Sequence, residues 1–200
     1  MPKRPVYLFI LVALAVVRLS AVEINYTSPA FEIGNTSTGS VFTSGFTFSL
    51  GSFGGFLPTS DNTSQWLTNF TSLSTTNWDE TFTQFSSTAT LSSNAMPFGT
   101  STLAYVWGYN FTEITGSPEW ILLTNSTWNF PTSSNLLPVS WDVSDAGTFA
   151  IVGSFAVSLG ADPYLQTAAV GAIPEPSTAA AFAGFAALGL AFWRRRRAGC

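Results

Sequence analysis

LAYVWGYNF, residues 103–111, places Leu103, Tyr105, Trp107, Tyr109 and Phe111 at alternate positions. Successive side chains of a strand point to opposite faces, so large aromatics at period two predict a half-buried β-strand. VFTSGFTFSL, residues 41–50, repeats the pattern with Phe46, Phe48 and Leu50 on one face. WILL at 120–123 and TFAIV at 148–152 are shorter strand candidates, and FAVSL at 155–159 is a partner for the second. Glycine and proline punctuate the intervals, among them Gly51, Pro58, Gly116, Pro131, Gly147 and Gly153. No long apolar pattern at helical period precedes residue 173. The expected fold is mainly β, a single β-sandwich or jelly-roll-like domain.

Charge is distributed unevenly around that domain. All seven basic residues lie near the ends: Lys3, Arg4 and Arg18 in front, Arg194, Arg195, Arg196 and Arg197 behind. From Val22 to Ile173 there is no Lys, Arg or His, while ten acidic residues fall in the same span. The body alone carries a charge of about −10 although the chain totals −4. Nothing in it can neutralise phosphates, which disfavours nucleic acid and anionic membrane surfaces as its direct partners and leaves a divalent cation or a cationic partner open. The body also lacks a His base and an Arg oxyanion clamp. Cys200 is the sole cysteine, so no intrachain disulfide forms.

The two ends read as membrane signals. MPKR precedes a twelve-residue apolar run, residues 6–17, which is the pattern of a signal peptide. Arg18 comes directly after that run, and cleavage after Ala21 places Leu19 at the minus-three position. At the back, residues 179–193 are uninterruptedly apolar, fifteen in all, and residues 173–193 span twenty-one. Twenty-one helical residues extend about 30 Å, near the hydrocarbon thickness of a bilayer. The prolines suit the start of such a helix, and the arginines suit its cytoplasmic end. This orientation leaves the body outside.

PEPSTAAAFAGFAALGLAFWRRRRAGC, the last 27 residues, resembles the bacterial PEP-CTERM sorting tail. The resemblance rests on Pro174, Glu175, Pro176 and Ser177, then a hydrophobic segment, then the basic stop Arg194 to Arg197. It implies recognition by an exosortase, a membrane-embedded processing enzyme, with Pro174, Glu175 and Pro176 as recognition residues. It also implies removal of the basic end, transfer from the inner membrane to the cell surface or extracellular matrix, and a Gram-negative host that makes exopolysaccharide. The body stretches TLAYVWGYN (102–110), SPEWILLTNSTWNFP (117–131) and VSWDVSDAGTFAIVGS (139–154) are similar to those of other proteins with this tail. The division is then a signal peptide at 1–21, an exported β-rich domain at 22–173 and a sorting tail at 174–200. Within the tail the transmembrane helix lies at about 178–193 and the basic end at 194–197.

Chemistry within the body has few carriers. A glycosidase needs two convergent carboxylates, for which Asp79, Glu80, Glu113 and Glu119 are candidates. No spacing fixes their separation, and strand-edge or turn carboxylates are the plainer reading. Asp142 and Asp145, in DVSD, are two oxygen donors for calcium or, more simply, the shapers of a turn before TFAIV. Trp66, Trp78, Trp107, Trp120, Trp128 and Trp141 are core candidates and, alternatively, a sugar-stacking face, with Trp128 in the polar run TNSTWNFP the most open case. Six Asn-x-Ser/Thr sites begin at Asn25, Asn35, Asn62, Asn69, Asn110 and Asn125, in a composition where such matches arise readily by chance.

No catalytic residue and no cofactor is expected. The resulting expectation is an exported, non-enzymatic surface or matrix protein with a structural or adhesive role. A carbohydrate-binding module and a carboxylate-dependent carbohydrate-active enzyme are the alternatives, and an extracellular polysaccharide is the partner that both would share.

Overall fold

Alternating aromatics at 103–109 form the middle of a six-stranded sheet, and both of its faces are buried. The computed structural model describes residues 21–114, 118–156 and 164–171. The expected signal helix, the transmembrane helix, the sorting residues Pro174 to Ser177 and the arginines 194–197 lie outside the described residues.

In chain order the strands are β1 (Val22–Thr27), β2 (Ile33–Asn35), β3 (Thr47–Ser52), β4 (Thr71–Asn77), β5 (Ser86–Leu91) and β6 (Leu103–Tyr109). Next come β7 (Glu119–Asn129), β8 (Val139–Asp142), β9 (Phe149–Val152), β10 (Ser154–Ala156), β11 (Tyr164–Gln166) and β12 (Ala168–Ala169). A 3-10 turn at Ser60–Gln65 runs into α1 (Trp66–Asn69), the only α-helix among the described residues. No helix among them is long and apolar enough to cross a membrane.

The large sheet has the order β12-β7-β6-β3-β4, with β9 also paired to β7, and all its pairings are antiparallel. A second sheet, β5-β1-β8, packs against one face of it. Its β1–β8 pair is parallel, as is β2–β11 in a small third sheet, β10-β11-β2. The coarse expectation of a mainly β body holds. Two parallel pairings separate this topology from one built wholly of antiparallel hairpins.

Two cores arise from the alternation. Ile24 and Tyr26 of β1, Phe48 and Leu50 of β3, Ala104 and Val106 of β6, and Ile121 and Leu123 of β7 fill the space between the two larger sheets. Gly108 lets that layer close: a Cβ there would lie 2.7 Å from both Phe48 Cε1 and Ile121 Cγ2. The odd-numbered set of β6 faces the other way, where Tyr105 and Trp107 pack with Trp120, Leu122, Phe53 and Trp66.

The expected half-buried strand is therefore buried on both sides. The reason is the polar-looking segment between β3 and β4, which lays Phe53, Trp66 and Phe70 over the second face. Trp66 stacks on Trp120 with centroids 5.6 Å apart and meets Trp107 edge-on at 5.9 Å, while Phe53 meets Tyr105 edge-on at 5.1 Å. Such aromatic pairs add about 0.5–1.5 kcal/mol each beyond their area burial. Phe111, expected to continue the buried face of β6, falls beyond the strand end and is 62% exposed.

If α1 closes the second core, Trp66→Ala should lower unfolding free energy by about 3–5 kcal/mol in a urea titration. A loss of under about 1 kcal/mol would mean that the segment merely rests on the sheet.

Candidate functional site

With no cationic side chain in the body, each carboxylate must find neutral donors or remain without any. Glu119, the first residue of β7, is buried and fully engaged. The Ser37 amide donates to Oε2 at 2.9 Å, the Ser37 hydroxyl to Oε1 at 2.6 Å, and the Thr167 hydroxyl to Oε2 at 2.6 Å. Burial alone would raise its pKa, but these donors outweigh it and hold the carboxyl below its ordinary value. Glu119 thus ties β7 to the turn after β2 and to the chain between β11 and β12.

The other acidic candidates are mostly committed to turns. Asp79 Oδ1 accepts the amides of Thr81 (2.7 Å) and Phe82 (3.2 Å). Exposed Glu80 accepts the Ser44 amide through Oε1, which holds its pKa low. Asp142 Oδ1 accepts the Ser144 amide and hydroxyl at 2.8 and 2.6 Å. Asp145 Oδ2 accepts the Asp142 amide at 3.0 Å and Trp128 Nε1 at 3.3 Å, so DVSD is closed on itself as a turn. Glu113 is exposed in a cleft of about 390 Å³ beside Leu67 and Trp120, whereas Glu80 lines a different cleft. Among the described residues no three Asp, Glu, His or Cys side chains converge as a metal-binding group.

Trp66, Trp78, Trp107, Trp120, Trp128 and Trp141 are all in the core, none more than 4% exposed. Trp128, the open case, stacks near Trp141 at 6.2 Å. No sugar-stacking face is formed by these indoles. Two of the Asn-x-Ser/Thr asparagines are clamps instead: Asn110 Oδ1 accepts the Phe111 and Glu119 amides at 2.8 Å each, and fully buried Asn125 donates to Ala146 O at 3.1 Å and Thr148 Oγ1 at 3.0 Å.

Glu32, which no motif or spacing in the sequence singles out, is the exception. It precedes β2 and is only 2% exposed, yet neither carboxyl oxygen has a hydrogen-bond partner among the described residues. Burial pushes its pKa from 4.5 to about 8; Ser28 eases that cost in part, and the charge of Asp142 adds to it. The Ser28 hydroxyl accepts the Phe85 amide at 3.2 Å and donates to Pro29 O at 3.5 Å.

Glu32 lines a cleft of about 380 Å³ together with Phe42, Trp78, Glu80 and the exposed side chains of Phe31, Ile33 and Val41. The backbone there is strained. Phe31 has φ 63° and Thr83 φ 44°, a region that L side chains rarely adopt. The strained pair is held by the Phe31 amide bonding Phe82 O at 2.8 Å and the Glu32 amide bonding Thr83 O at 3.1 Å. A buried ionisable group, a cleft and adjacent strained backbone converge on one place, which makes it the candidate site of the body. Local sequence cannot announce it, because Glu32 gains its environment from segments far apart along the chain.

Two pH effects of opposite sign result. The folded chain retains a proton on Glu32 that the unfolded chain releases above pH 4.5, so this residue's contribution is intact below pH 4.5 and is lost as pH rises toward 8. Glu32→Gln should match the parent near pH 4 and exceed its stability at pH 8 by a few kcal/mol in chemical denaturation; parallel curves would refute the buried, unpaired state. For Glu119, whose pKa is lowered, the contribution is present above its unfolded pKa and is lost as pH falls through the folded value. Glu119→Ala should cost about 1.5–3 kcal/mol at pH 7, and less in acid; an unchanged urea midpoint at pH 7 would rule out the clamp.

Comparison with known proteins bears on the tail and not on the cleft. No curated protein and no solved structure matches the chain. Residues 172–197 match the PEP-CTERM protein-sorting motif, so the chain carries the sorting signal of an exosortase substrate at the place where the residues Pro174 to Arg197 suggested it.

Proposed function

We propose that this chain is an exported, non-catalytic protein with a structural or adhesive role at the cell surface or in the extracellular matrix. Its tail engages an exosortase-type enzyme while still held in the inner membrane, and the body is then delivered outward. The observation that carries this reading is the sorting motif at residues 172–197. Its parts, in sequence, fit the physics of the route: Pro-Glu-Pro, then an apolar run that lipid accepts, then four arginines that resist translocation.

The body supports the same reading in two ways. β1 begins at Val22, immediately after the proposed signal cleavage point, and Val22 is buried in the core. The residue next to the proposed cleavage point thus already belongs to the described core. Its negative charge, with no basic patch, favours solubility and repels anionic envelope surfaces. An extracellular polysaccharide is the partner class that such a location would offer.

The test is intact mass and cell fractionation of the native protein beside a Glu175→Ala variant. The parent should lose both terminal segments and leave the membrane fraction, whereas the variant should keep its full C-terminus and stay there. An intact C-terminus in both would sink the processing claim and leave a membrane-anchored surface protein.

A further inference from the structure

The carboxyl of Glu32 poses a chemical question: what would satisfy it? The body offers no Lys, Arg or His, so any ion-pair partner must come from outside it. Charged groups near the cleft are all of one sign, with Glu80 lining it and Asp142 acting on Glu32. The remaining walls are largely aromatic or aliphatic: Phe31, Ile33, Val41, Phe42 and Trp78. Aromatic faces beside carboxylates attract cations twice, through the ring quadrupole and through charge. Few hydroxyl or amide groups line the space, which disfavours a ligand covered with hydroxyls. A volume of about 380 Å³ suits a group the size of one long side chain.

From this geometry we infer that the cleft between Phe31, Val41 and Trp78 is a binding site for an alkylammonium group, with Glu32 as its counter-ion and Glu80 at its mouth. A lysine side chain of a partner protein presents this chemistry. Phe42 and Trp78 are buried and hold their rings in place by an edge-on contact at 5.3 Å, so part of the wall is formed before any ligand arrives. The Glu32 carboxyl oxygens are covered in the unliganded chain, so entry of the ligand requires a shift of the cleft wall, to which the 66% exposed Phe31 belongs. The strain at Phe31 and Thr83 then has a use, since it sets the chain so that Phe31 points outward while its neighbour Glu32 points in.

Binding of a cation to a carboxyl that holds a proton has a measurable consequence. The ammonium stabilises the ionised form, so the proton leaves for solvent as the ligand arrives. Among the described residues, Asp142 acts on Glu32 through its charge and Glu80 lines the same cleft. Glu80 accepts the Ser44 backbone amide, which holds its pKa low, whereas burial raises that of Glu32, so Glu32 is the group that responds.

The experiment is titration calorimetry of the full-length protein with n-butylammonium at pH 7, in phosphate and in MOPS, neither of which carries a primary ammonium. The two buffers differ in ionisation heat and so count protons. Saturable one-to-one binding with release of about one proton is expected. Glu32→Gln should weaken it by about tenfold or more and abolish proton release, while Glu23→Gln, on the exposed side of β1, should change neither. Phe31→Ala should weaken binding with proton release retained. Urea midpoints of each variant show that the fold persists. Butan-1-ol should not bind.

No binding of n-butylammonium, or binding that Glu32→Gln leaves intact, would overturn the site. Tighter binding of glucosamine than of n-butylammonium would overturn the alkyl frame and point to an amino sugar. The cleft and the processing of the tail are independent, so failure of one leaves the other standing.

Discussion

The absence of any cationic side chain between Val22 and Ile173 constrains everything else in this body. A buried carboxylate elsewhere would be paired with Arg or Lys; here it can be met only by hydroxyls and backbone amides. Glu119 shows that this suffices, with three donors within 2.9 Å holding its charge in a buried position. Glu32 is the opposite case: Ser28 alone eases its burial, and its carboxyl keeps a proton well above the ordinary range. A group held in that state costs stability whenever it ionises. Its retention beside a cleft and strained backbone makes sense if something completes it.

The same constraint shapes the scaffold. Long-range ties that salt bridges would otherwise make are made by neutral groups. Asn110 joins the end of β6 to the start of β7, Asn125 joins β7 to the chain leading into β9, and the Tyr26 hydroxyl reaches Ser74 Oγ at 3.3 Å across from β1 to β4. Cohesion comes from the aromatic layers on both faces of the six-stranded sheet. Neutral donors and apolar contacts are little screened by salt, whereas exposed ion pairs are weakened by it. That suits a body sent to a compartment whose ionic composition the cell does not control.

Alternation made the mainly β character and the strands at residues 103–109 and 120–123 legible, since Tyr105, Trp107, Trp120 and Leu122 all sit on one face as period two requires. The second burial of that sheet was not legible. Trp66 and Phe70 stand in a stretch of Ser, Thr and Asn with no periodicity, and only tertiary contact shows them as a lid. β1 was hidden because VEINYT follows closely on the N-terminal apolar run, and its role depends on pairing with β5 and β8 far along the chain. Strand TFSLGS starts later than expected, because Phe42 and Phe46 pack by stacking at 4.2 Å from a loop rather than from a ladder. The tail was readable from local order alone. Glu32 was not, since a lone Glu among apolar neighbours resembles any surface carboxylate until its partners are counted.

One measurement tests the role of charge most directly: a pH titration of the side-chain carboxyl carbons by NMR on the folded protein, observing Glu32 and Glu119 in the same sample. Glu32 should titrate near pH 8 and Glu119 below the ordinary carboxylate range. If both titrated together at the ordinary value, neither the orphaned carboxyl nor the neutral-donor clamp would stand.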